Sequence, residues 1–265
     1  MVTLALRAAA VSERGEHRAV NQDAAFTASW GAAVADGVGG GPAGDLASAA
    51  YVHRLAAGLS GSLDREMLAT RLRIANWDLR AHVERDRSLE GMATTFTGLF
   101  SSTTGGLILA HAGDSRAYLL RDGLLTRQTR DDSFVQLLVD SGIVRAADAA
   151  SHPHRNLITA SLRGGDDDAV TILEREGHEG DRWLLCSDGL TDYVPEPEIA
   201  VVLGGGDVGE AARALVDLAL QAGSRDNVSA VVCDVVVATR ARLSAAETAF
   251  AGSAAERFAE GLESA

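Results

Sequence analysis

The sequence predicts an α+β fold built from antiparallel sheets. Strand-like runs come first along the chain, helical periodicity follows, and strands then return without strict alternation of strand and helix. Strict alternation would instead have favoured a doubly wound parallel sheet. The chain has 265 residues, of which 46% are hydrophobic and only 4 are proline, and this is typical of one globular domain with a large core.

The first strands are predicted from the N-terminal residues. Val2, Leu4, Leu6 and Ala8 recur at the two-residue period of a half-buried strand. A turn follows, and a second strand is predicted to end at Asp36, where an alanine- and valine-rich run meets glycine. The sheet therefore begins before the first helix.

Two helices and three further strands are predicted next. A helix over residues 43–59 follows the glycine-rich turn, and a second helix begins near Ser62. The second helix has an apolar face formed by Leu68, Leu72, Ala75 and Leu79. Strands return over residues 95–100, 107–112 and 117–120, where apolar runs are bounded by turn residues.

A hairpin and a polar segment follow these strands. The pair Asp122-Gly123 between two apolar stretches is a strong hairpin signal. From about residue 129 to residue 165 the pattern is polar and irregular, with one short helix near residues 134–141. We interpret this segment as a mobile flap outside the core.

The C-terminal part is predicted to hold one more amphipathic helix and a tail. Asp207 and Glu210 form a capping pair at the start of this helix, and Gly223 ends it. Beyond residue 239 the composition shifts to alanine, glutamate and serine. The sequence therefore predicts a main domain over residues 1–238 and a helical tail over residues 239–265.

Charge and composition exclude several classes of protein. The formal net charge of −13 should repel nucleic acid and anionic membranes. All 24 basic residues are arginine, so the lysine of P-loop proteins, the lysine of kinases and every Schiff-base mechanism are excluded.

The sequence also predicts where the protein works. Cys186 and Cys233 lie inside apolar runs, where buried and unreactive thiols are expected. Arg7 interrupts the N-terminal apolar stretch, which does not resemble a signal peptide, and no apolar run is long enough to span a membrane. We expect a cytoplasmic monomer.

Four aspartates mark the ends of strand-like runs. Asp36, Asp114 and Asp188 follow such runs, Asp226 precedes one, and glycine accompanies three of the four. A rigid sheet would hold these side chains over one rim, where four carboxylates repel one another unless cations neutralise them. Oxygen ligands of this kind suit Mg²⁺ or Mn²⁺. The sequence therefore predicts a hydrolytic site with several metal ions.

The chemistries of two known phosphatase classes are less well supported. Asp166 opens an Asp-Asp-Asp-Ala-Val stretch that imitates the nucleophile motif of haloacid-dehalogenase enzymes, but glycines precede it instead of a buried strand. A cysteine phosphatase needs an arginine six residues after its cysteine. Asp192 stands six residues after Cys186, and Thr239 stands six residues after Cys233, so this class is excluded.

With these residues in view, the chain resembles the metal-dependent protein serine/threonine phosphatases of the type 2C class, in their bacterial form. The likeness extends from about Leu4 to Val237, and its motifs occur in the family's order. The motifs are Arg18 with Asn21-Gln22-Asp23, Asp36-Gly37-Val38-Gly39-Gly40, Met92-Ala93-Thr94-Thr95, Gly113-Asp114-Ser115-Arg116, Cys186-Ser187-Asp188-Gly189-Leu190 and Arg225-Asp226-Asn227.

This resemblance implies a four-layer α-β-β-α sandwich, in which helices flank two antiparallel sheets, with a metal centre at one edge. It implies that Asp36 bridges two ions and that the carbonyl of Gly37 binds one of them. Asp188 and Asp226 would complete this pair, and Asp114 with Asp188 would hold the third ion of bacterial members. The cofactor would be Mn²⁺ or Mg²⁺.

The resemblance also implies roles for residues around the metals. Arg18 would bind the substrate phosphate, and Asp23 would support the site without touching a metal. Three positions depart from the family pattern. Val38 replaces a histidine proposed as general acid in some relatives, Gln22 replaces a frequent glutamate, and Ala93 replaces the usual glycine.

The implied activity is hydrolysis of phosphoserine and phosphothreonine in proteins. The expected partners are phosphorylated proteins, among them a bacterial serine/threonine kinase and its substrates. Two alternatives stay open: a non-catalytic scaffold or regulator, and a phosphatase that acts on an anti-sigma antagonist. His152 and His154 in the flap could contact substrate, although surface histidines are the favoured interpretation.

Overall fold

Strands form the centre of the computed structural model, which describes residues 3–38, 43–238 and 248–258. The strands are β1 (Leu4–Glu13), β2 (Asp23–Ala28), β3 (Gly31–Val38), β4 (Ala93–Thr94), β5 (Phe96–Ser101), β6 (Leu107–Ala112), β7 (Arg116–Arg121), β8 (Leu124–Arg127), β9 (Thr171–Arg175), β10 (Arg182–Cys186), β11 (Val228–Val237) and β12 (Ala249–Gly252). Within the described ranges they form two antiparallel sheets. One has five strands in the order β1-β11-β10-β7-β8, and the other has seven in the order β12-β2-β3-β5-β6-β9 with β4 paired to β3.

Helices cover the outer face of each sheet. The α-helices of the described ranges are α1 (Gly44–Ala56), α2 (Arg65–Arg85), α3 (Phe134–Asp140), α4 (Asp188–Thr191), α5 (Glu196–Leu203), α6 (Val208–Gln221) and α7 (Ser253–Phe258). The α1 and α2 helices pack on the seven-stranded sheet, and α5 and α6 pack on the five-stranded sheet. The predicted α+β, four-layer α-β-β-α sandwich is confirmed. No helix in the described part of the chain is long and apolar enough to cross a bilayer.

Burial on both faces explains why the central strands are continuously apolar. In β10, Trp183 and Leu185 point into the layer between the sheets, whereas Leu184 and Cys186 point toward the helices. Alternate residues of a strand lie on opposite faces, so a strand in the middle of a sandwich needs apolar residues at every position. Both cysteines are free and buried, as the sequence predicts. Burial raises the pKa of the Cys186 thiol to about 12, which leaves it unreactive at neutral pH.

Several local signals are confirmed. Asp122 and Gly123 both have positive φ, 52° and 76°, and they join β7 to β8 in a two-residue hairpin. The Asp207 side chain accepts hydrogen bonds from the backbone of Gly209 and Glu210, and a full capping box opens α6. A short helix, α3, lies in the predicted flap.

The C-terminal helical tail over residues 239–265 needs correction. Within the described part of this tail, residues 249–252 form β12, which pairs with β2 at the edge of the seven-stranded sheet, and residues 253–258 are helical. Alanine-rich composition favours a helix locally, but the free edge of β2 provides backbone partners that override this preference. The rest of the predicted tail, residues 239–247 and 259–265, lies outside the described residues. The domain boundary at residue 238 stays a prediction.

A second correction concerns the strand that was predicted to end at Asp36. It is a hairpin of two strands, β2 and β3, joined by a turn at residues 29–30. Gly31 after this turn packs so closely that a Cβ there would lie 2.5 Å from the Phe100 ring. The turn sequence Ser-Trp is apolar at one position and lacks the usual Asn-Gly or Asp-Gly signal, so the periodicity did not reveal it.

Candidate metal centre

The structure brings the predicted aspartates to one edge of the sandwich. Asp36 lies near the end of β3, and Asp23 lies directly opposite it at the start of β2. Asp188 opens α4 immediately after β10, and Asp226 comes two residues before β11. Asp114 follows β6. Each side chain is therefore held by a strand end or by the first residues beyond one.

The pKa values of these carboxyl groups indicate strong mutual repulsion. Burial raises the pKa of Asp36 well above its usual range, and the charges of Asp23, Asp188, Asp114 and Asp226 raise it further. Burial and the neighbouring carboxylates act on the pKa of Asp188 in the same direction. The pKa of Asp114 rises to about 7, with burial as the main cause. All of these groups can be ionised together at neutral pH only if positive charge is supplied.

Asp23 is fully buried and anchored to the five-stranded sheet. Its Oδ2 accepts a hydrogen bond of 2.7 Å from the Ser187 hydroxyl, which in turn accepts one of 3.0 Å from the backbone N–H of Ser229. Burial raises the pKa of Asp23 to about 6. Asp23 therefore links the β2–β3 hairpin to β10 and β11 directly beneath Asp36.

The backbone around Asp36 is fixed from both sides. Its N–H donates to Thr95 Oγ1 at 3.0 Å, and its carbonyl accepts from the Thr94 hydroxyl at 3.0 Å and from the Thr95 N–H at 2.8 Å. Gly37 lies against the start of α1, where an added Cβ would come within 2.3 Å of the Gly44 carbonyl oxygen. Only glycine fits at this position without moving α1.

Arg18 reaches the same edge but is already paired. Its Nη2 donates to Asp226 Oδ2 at 2.6 Å, and its Nε donates to the Arg225 carbonyl at 3.4 Å. The ion pair is partly exposed, with 39% of the Arg18 side chain and 31% of the Asp226 side chain accessible. Arg18 therefore lies at the edge that carries the aspartates, and it neutralises one of them in this structure.

The residues present fit a hard divalent cation. Oδ1 of Asp188 is buried without a hydrogen-bond partner among the described residues, and the aspartates at this edge offer only oxygen ligands. No group of three His, Cys, Asp or Glu side chains in the described ranges forms a ready-made ligand set for one ion. Mg²⁺ is commonly bound by only one or two carboxylates and keeps several waters. A site that offers few carboxylates to each ion therefore suits it.

Asp192 belongs to this edge, and the sequence analysis did not include it. It lies four residues after Asp188, and burial raises its pKa. Its Oδ2 accepts a hydrogen bond of 3.4 Å from Arg155 of the flap. The spacing of four residues within a helical turn was the signal that could have identified it.

A cavity of about 420 Å³ lies between the flap and the aspartates. Val135 and Val139 of α3 line one wall, and Asp114, Asp188 and Asp192 line another. Asp131, which also lines the cavity, is 4% exposed and accepts hydrogen bonds from Arg116 at 2.8 and 3.1 Å.

Backbone hydrogen bonds also anchor the flap beside the site. The Gly113 N–H donates to Asp132 Oδ2 at 3.0 Å, and the backbones of Thr94 and Leu162 exchange two hydrogen bonds of 2.9 Å. His152 and His154 lie farther out, with ring centroids 5.7 Å apart, and His154 packs edge-on to Phe134. Neither histidine is among the residues that line the cavity.

Comparison with known proteins adds independent information. A family model described as "Protein phosphatase 2C" matches residues 14–204. The serine/threonine protein phosphatase PstP of Mycobacterium tuberculosis is 46% identical over 239 residues, which cover 89% of this chain and 46% of that protein. The chain thus spans about half the length of this curated relative. The serine/threonine phosphatase stp of Listeria monocytogenes is 32% identical over 209 residues, which cover 76% of this chain and 82% of that protein.

Solved structures agree with these relatives. The catalytic domain of PstP, crystallised in complex with two manganese ions, aligns with a TM-score of 0.81 and 43% identity, covering 88% of this chain and 100% of that one. The phosphatase MsPP of Mycobacterium smegmatis, in complex with cacodylate, aligns with a TM-score of 0.79 and 33% identity, covering 86% of this chain and 97% of that one.

Proposed function

Because the chain belongs to the protein phosphatase 2C family, we propose that it hydrolyses phosphoserine and phosphothreonine in proteins. The observation that carries this proposal is the cluster of Asp36, Asp114, Asp188 and Asp226 around buried Asp23. Repulsion among these carboxylates destabilises the fold unless bound cations neutralise it, and clusters of this kind are typical of functional sites. The similarity to named serine/threonine phosphatases supports the same reaction.

The proposed cofactor is Mn²⁺ or Mg²⁺. Asp36 would bridge two core ions, the Gly37 carbonyl would bind one of them, and Asp188 and Asp226 would complete the pair. Asp114 with Asp188 would hold a third. When bound, the ions supply a water that is deprotonated near neutral pH, and they neutralise charge on the phosphate. The two manganese ions of the PstP catalytic domain support this assignment.

The protein residues position the reacting groups. The hydrogen bonds from Thr94 and Thr95 hold the Asp36 backbone, and Asp23 holds the hairpin from below. Arg18 is proposed to exchange its contact with Asp226 for two phosphate oxygens, because a guanidinium matches a phosphate in a bidentate geometry. Val38 offers no proton to the leaving oxygen, so water is proposed to supply it.

The proposed partners are phosphorylated proteins, in particular a bacterial serine/threonine kinase and its substrates. We propose that this domain acts as a monomer in the cytoplasm, where ATP-dependent kinases make phosphoserine and phosphothreonine. Dephosphorylation of an anti-sigma antagonist would use the same site on a narrower set of substrates. A phosphoproteome comparison of cells with and without the gene distinguishes these two substrate sets.

Hydrolysis of para-nitrophenyl phosphate and of a phosphothreonine peptide tests the proposal. We expect turnover with Mn²⁺ or Mg²⁺, loss of turnover after exhaustive chelation, and recovery when either ion is returned. A Cys186→Ser variant serves as a control that should keep its activity. Full activity without metal, or activity with zinc alone, would refute the metal assignment. A protein that binds Mn²⁺ and phosphopeptide without turnover would instead favour the scaffold alternative.

A further inference from the structure

The C-terminal residues 249–258, which we term the C-terminal clasp, are fastened to the elements that carry the metal centre. The clasp comprises β12 and α7. Its strand pairs with β2, and the ring of Phe250 stacks on that of His53 in α1 at 3.9 Å. Arg257 donates a hydrogen bond of 2.7 Å to Asp45 in the first turn of α1. The clasp thus joins the sheet edge to the N-terminal end of α1.

A buried chain of hydrogen bonds runs from the clasp to Gly37. The hydroxyls of Ser253 and Ser48 lie 3.0 Å apart, and the Ser48 hydroxyl donates to the Gln22 carbonyl at 2.6 Å. The same carbonyl accepts a hydrogen bond of 3.1 Å from the Gly37 N–H. Ser253 is 1% exposed and Ser48 is 0% exposed, so water does not compete for these contacts.

The direction of these hydrogen bonds gives Ser253 a specific role. The Ser48 hydroxyl has one proton and two nearby carbonyl acceptors, Gln22 at 2.6 Å and Asp45 at 3.3 Å. When Ser253 donates to Ser48, it polarises that hydroxyl and strengthens the bond to Gln22. Without Ser253, the Ser48 hydroxyl loses this polarisation and can turn from the Gln22 carbonyl toward the Asp45 carbonyl.

Close packing fixes the backbone of Gly37 against α1 and the backbone of Asp23 against the clasp. Gly37 packs against the Gly44 carbonyl so closely that a Cβ would approach it to 2.3 Å. At the other end, a Cβ on Gly252 would come within 2.2 Å of the Asp23 carbonyl oxygen. The clasp therefore contacts the backbone of Asp23 and, through α1, the backbone of Gly37.

We propose that Ser253 and Ser48 are positioning residues for the metal-binding carbonyl of Gly37, and that the C-terminal clasp sets the affinity of the ion bound there. The inference rests on the proposed function only in taking Gly37 as a ligand. A ligand carbonyl that is held in place loses little freedom when the ion binds, and so the docked clasp favours the metal-bound state.

The test uses the full chain with Ser253→Ala and a matched control, Ser102→Ala. Ser102 is also buried, at 3% exposure, and its hydroxyl lies 2.8 Å from that of Thr104, in the loop that follows β5. Calorimetric titration with Mn²⁺ gives the number of ions and their affinities. Hydrogen exchange of the Gly37 amide, followed by NMR in metal-free protein, reports without any metal on its bond to the Gln22 carbonyl, at the residue whose own carbonyl is the proposed ligand.

We expect Ser253→Ala to weaken one Mn²⁺ site about threefold to tenfold, the size of one ordinary hydrogen bond, and to speed exchange of the Gly37 amide by a similar factor. Ser102→Ala should change neither quantity. The double variant Ser48→Ala/Ser253→Ala should be no weaker than Ser48→Ala alone, because both substitutions break the same link.

Failure of this inference and failure of the proposed function give different results. Unchanged Mn²⁺ affinity in Ser253→Ala overturns the inference even if the wild type is an active phosphatase. A wild type that binds no divalent ion also overturns it. Weaker Mn²⁺ binding and faster Gly37 exchange support it even if neither protein hydrolyses phosphoserine, and in that case only the proposed function fails.

Discussion

We term the edge of the sandwich that carries the aspartates the metal edge. Some of its residues would bind ions, and others hold those ligands in position. Asp36, Asp188 and Asp226 are proposed to complete the core pair of ions, whereas Asp114 contributes to a third. Asp23 is fully buried and bonded to Ser187, so it supports the edge from inside. This division leads to different expectations for substitutions that look alike in sequence.

Alanine substitutions of the aspartates should separate the core ions from the third ion. Asp36→Ala, Asp188→Ala and Asp226→Ala should each abolish turnover, because each removes a ligand of the core pair. Asp114→Ala should lower turnover but leave two ions bound. Calorimetry or crystallographic metal counting checks this, and an Asp114→Ala protein without any bound metal would contradict the assignment.

Arg18→Ala should chiefly raise KM for phosphorylated substrates and leave the metal content intact. Loss of a charge-assisted hydrogen bond to phosphate corresponds to about a tenfold to hundredfold fall in kcat/KM. Arg213→Ala is the matched control, since Arg213 also forms a partly exposed ion pair, with Glu13. The competing interpretation is that Arg18 only stabilises the fold, through its ion pair with Asp226. Unchanged kcat/KM with a lowered Tm would show that this pairing is its whole function.

At the scale of secondary structure, the metal edge depends on how tightly the short helix α4 is wedged between strands. Gly189, directly after Asp188, lies against the residue that precedes β11, where a Cβ would come within 1.9 Å of the Asn227 carbonyl oxygen. The Ser224 hydroxyl donates to the Gly189 carbonyl at 3.0 Å and holds the same turn. The position of Asp188 is thus fixed by backbone packing.

Gly189→Ala should therefore damage both stability and metal binding. The added methyl group must push α4 away from β11, and overpacking of this kind costs about 1–3 kcal/mol. Gly205→Ala is the control, because a Cβ there meets only the Val202 carbonyl at an ordinary 3.6 Å. Thermal unfolding and Mn²⁺ titration of both variants test this prediction. Equal Tm values and equal Mn²⁺ affinities in the two variants would contradict it.

The sequence predicted those elements whose signals are local. Long apolar runs predicted the buried strands, the Asp122-Gly123 pair predicted a hairpin, and Asp207 with Glu210 predicted a helix cap. The structure has all of these. It did not predict β12, because four small or aromatic residues become a strand only through pairing with β2, far away in the chain. Likewise, the pair of Arg18 and Asp226 joins residues 208 positions apart, so no local pattern indicates it.

At the scale of the whole molecule, the sandwich concentrates negative charge at one edge of a chain that already has a net charge of −13. Metal-free protein should therefore carry an electrostatic cost that metal-bound protein does not. Burial raises the folded-state pKa of Asp23 from 3.8 to about 6. The stability contributed by its protonated form is complete below pH 3.8 and is lost as the pH rises through about 6.

Asp23→Asn should remove this pH dependence in metal-stripped protein. Asparagine keeps an acceptor for Ser187 and never ionises, so the variant should match the wild type near pH 4. At pH 8 it should exceed the wild type by about 3 kcal/mol, or about 6–10 °C in Tm. Thermal unfolding of both proteins across this range measures the difference, and the lower pKa of Asp36 in the variant adds to it in the same direction. A difference independent of pH would contradict the prediction.

The strand β12 also determines what the seven-stranded sheet presents to other molecules. As the outermost strand it is only four residues long, and it covers the backbone of β2 at residues 24–27. A form of the chain cut before residue 248 would leave β2 as an open edge, and an open edge is a template for pairing with another copy. Such a form would self-associate edge to edge as its concentration rises. The ten residues of the C-terminal clasp, which are linked to Gly37 by hydrogen bonds, therefore also prevent aggregation.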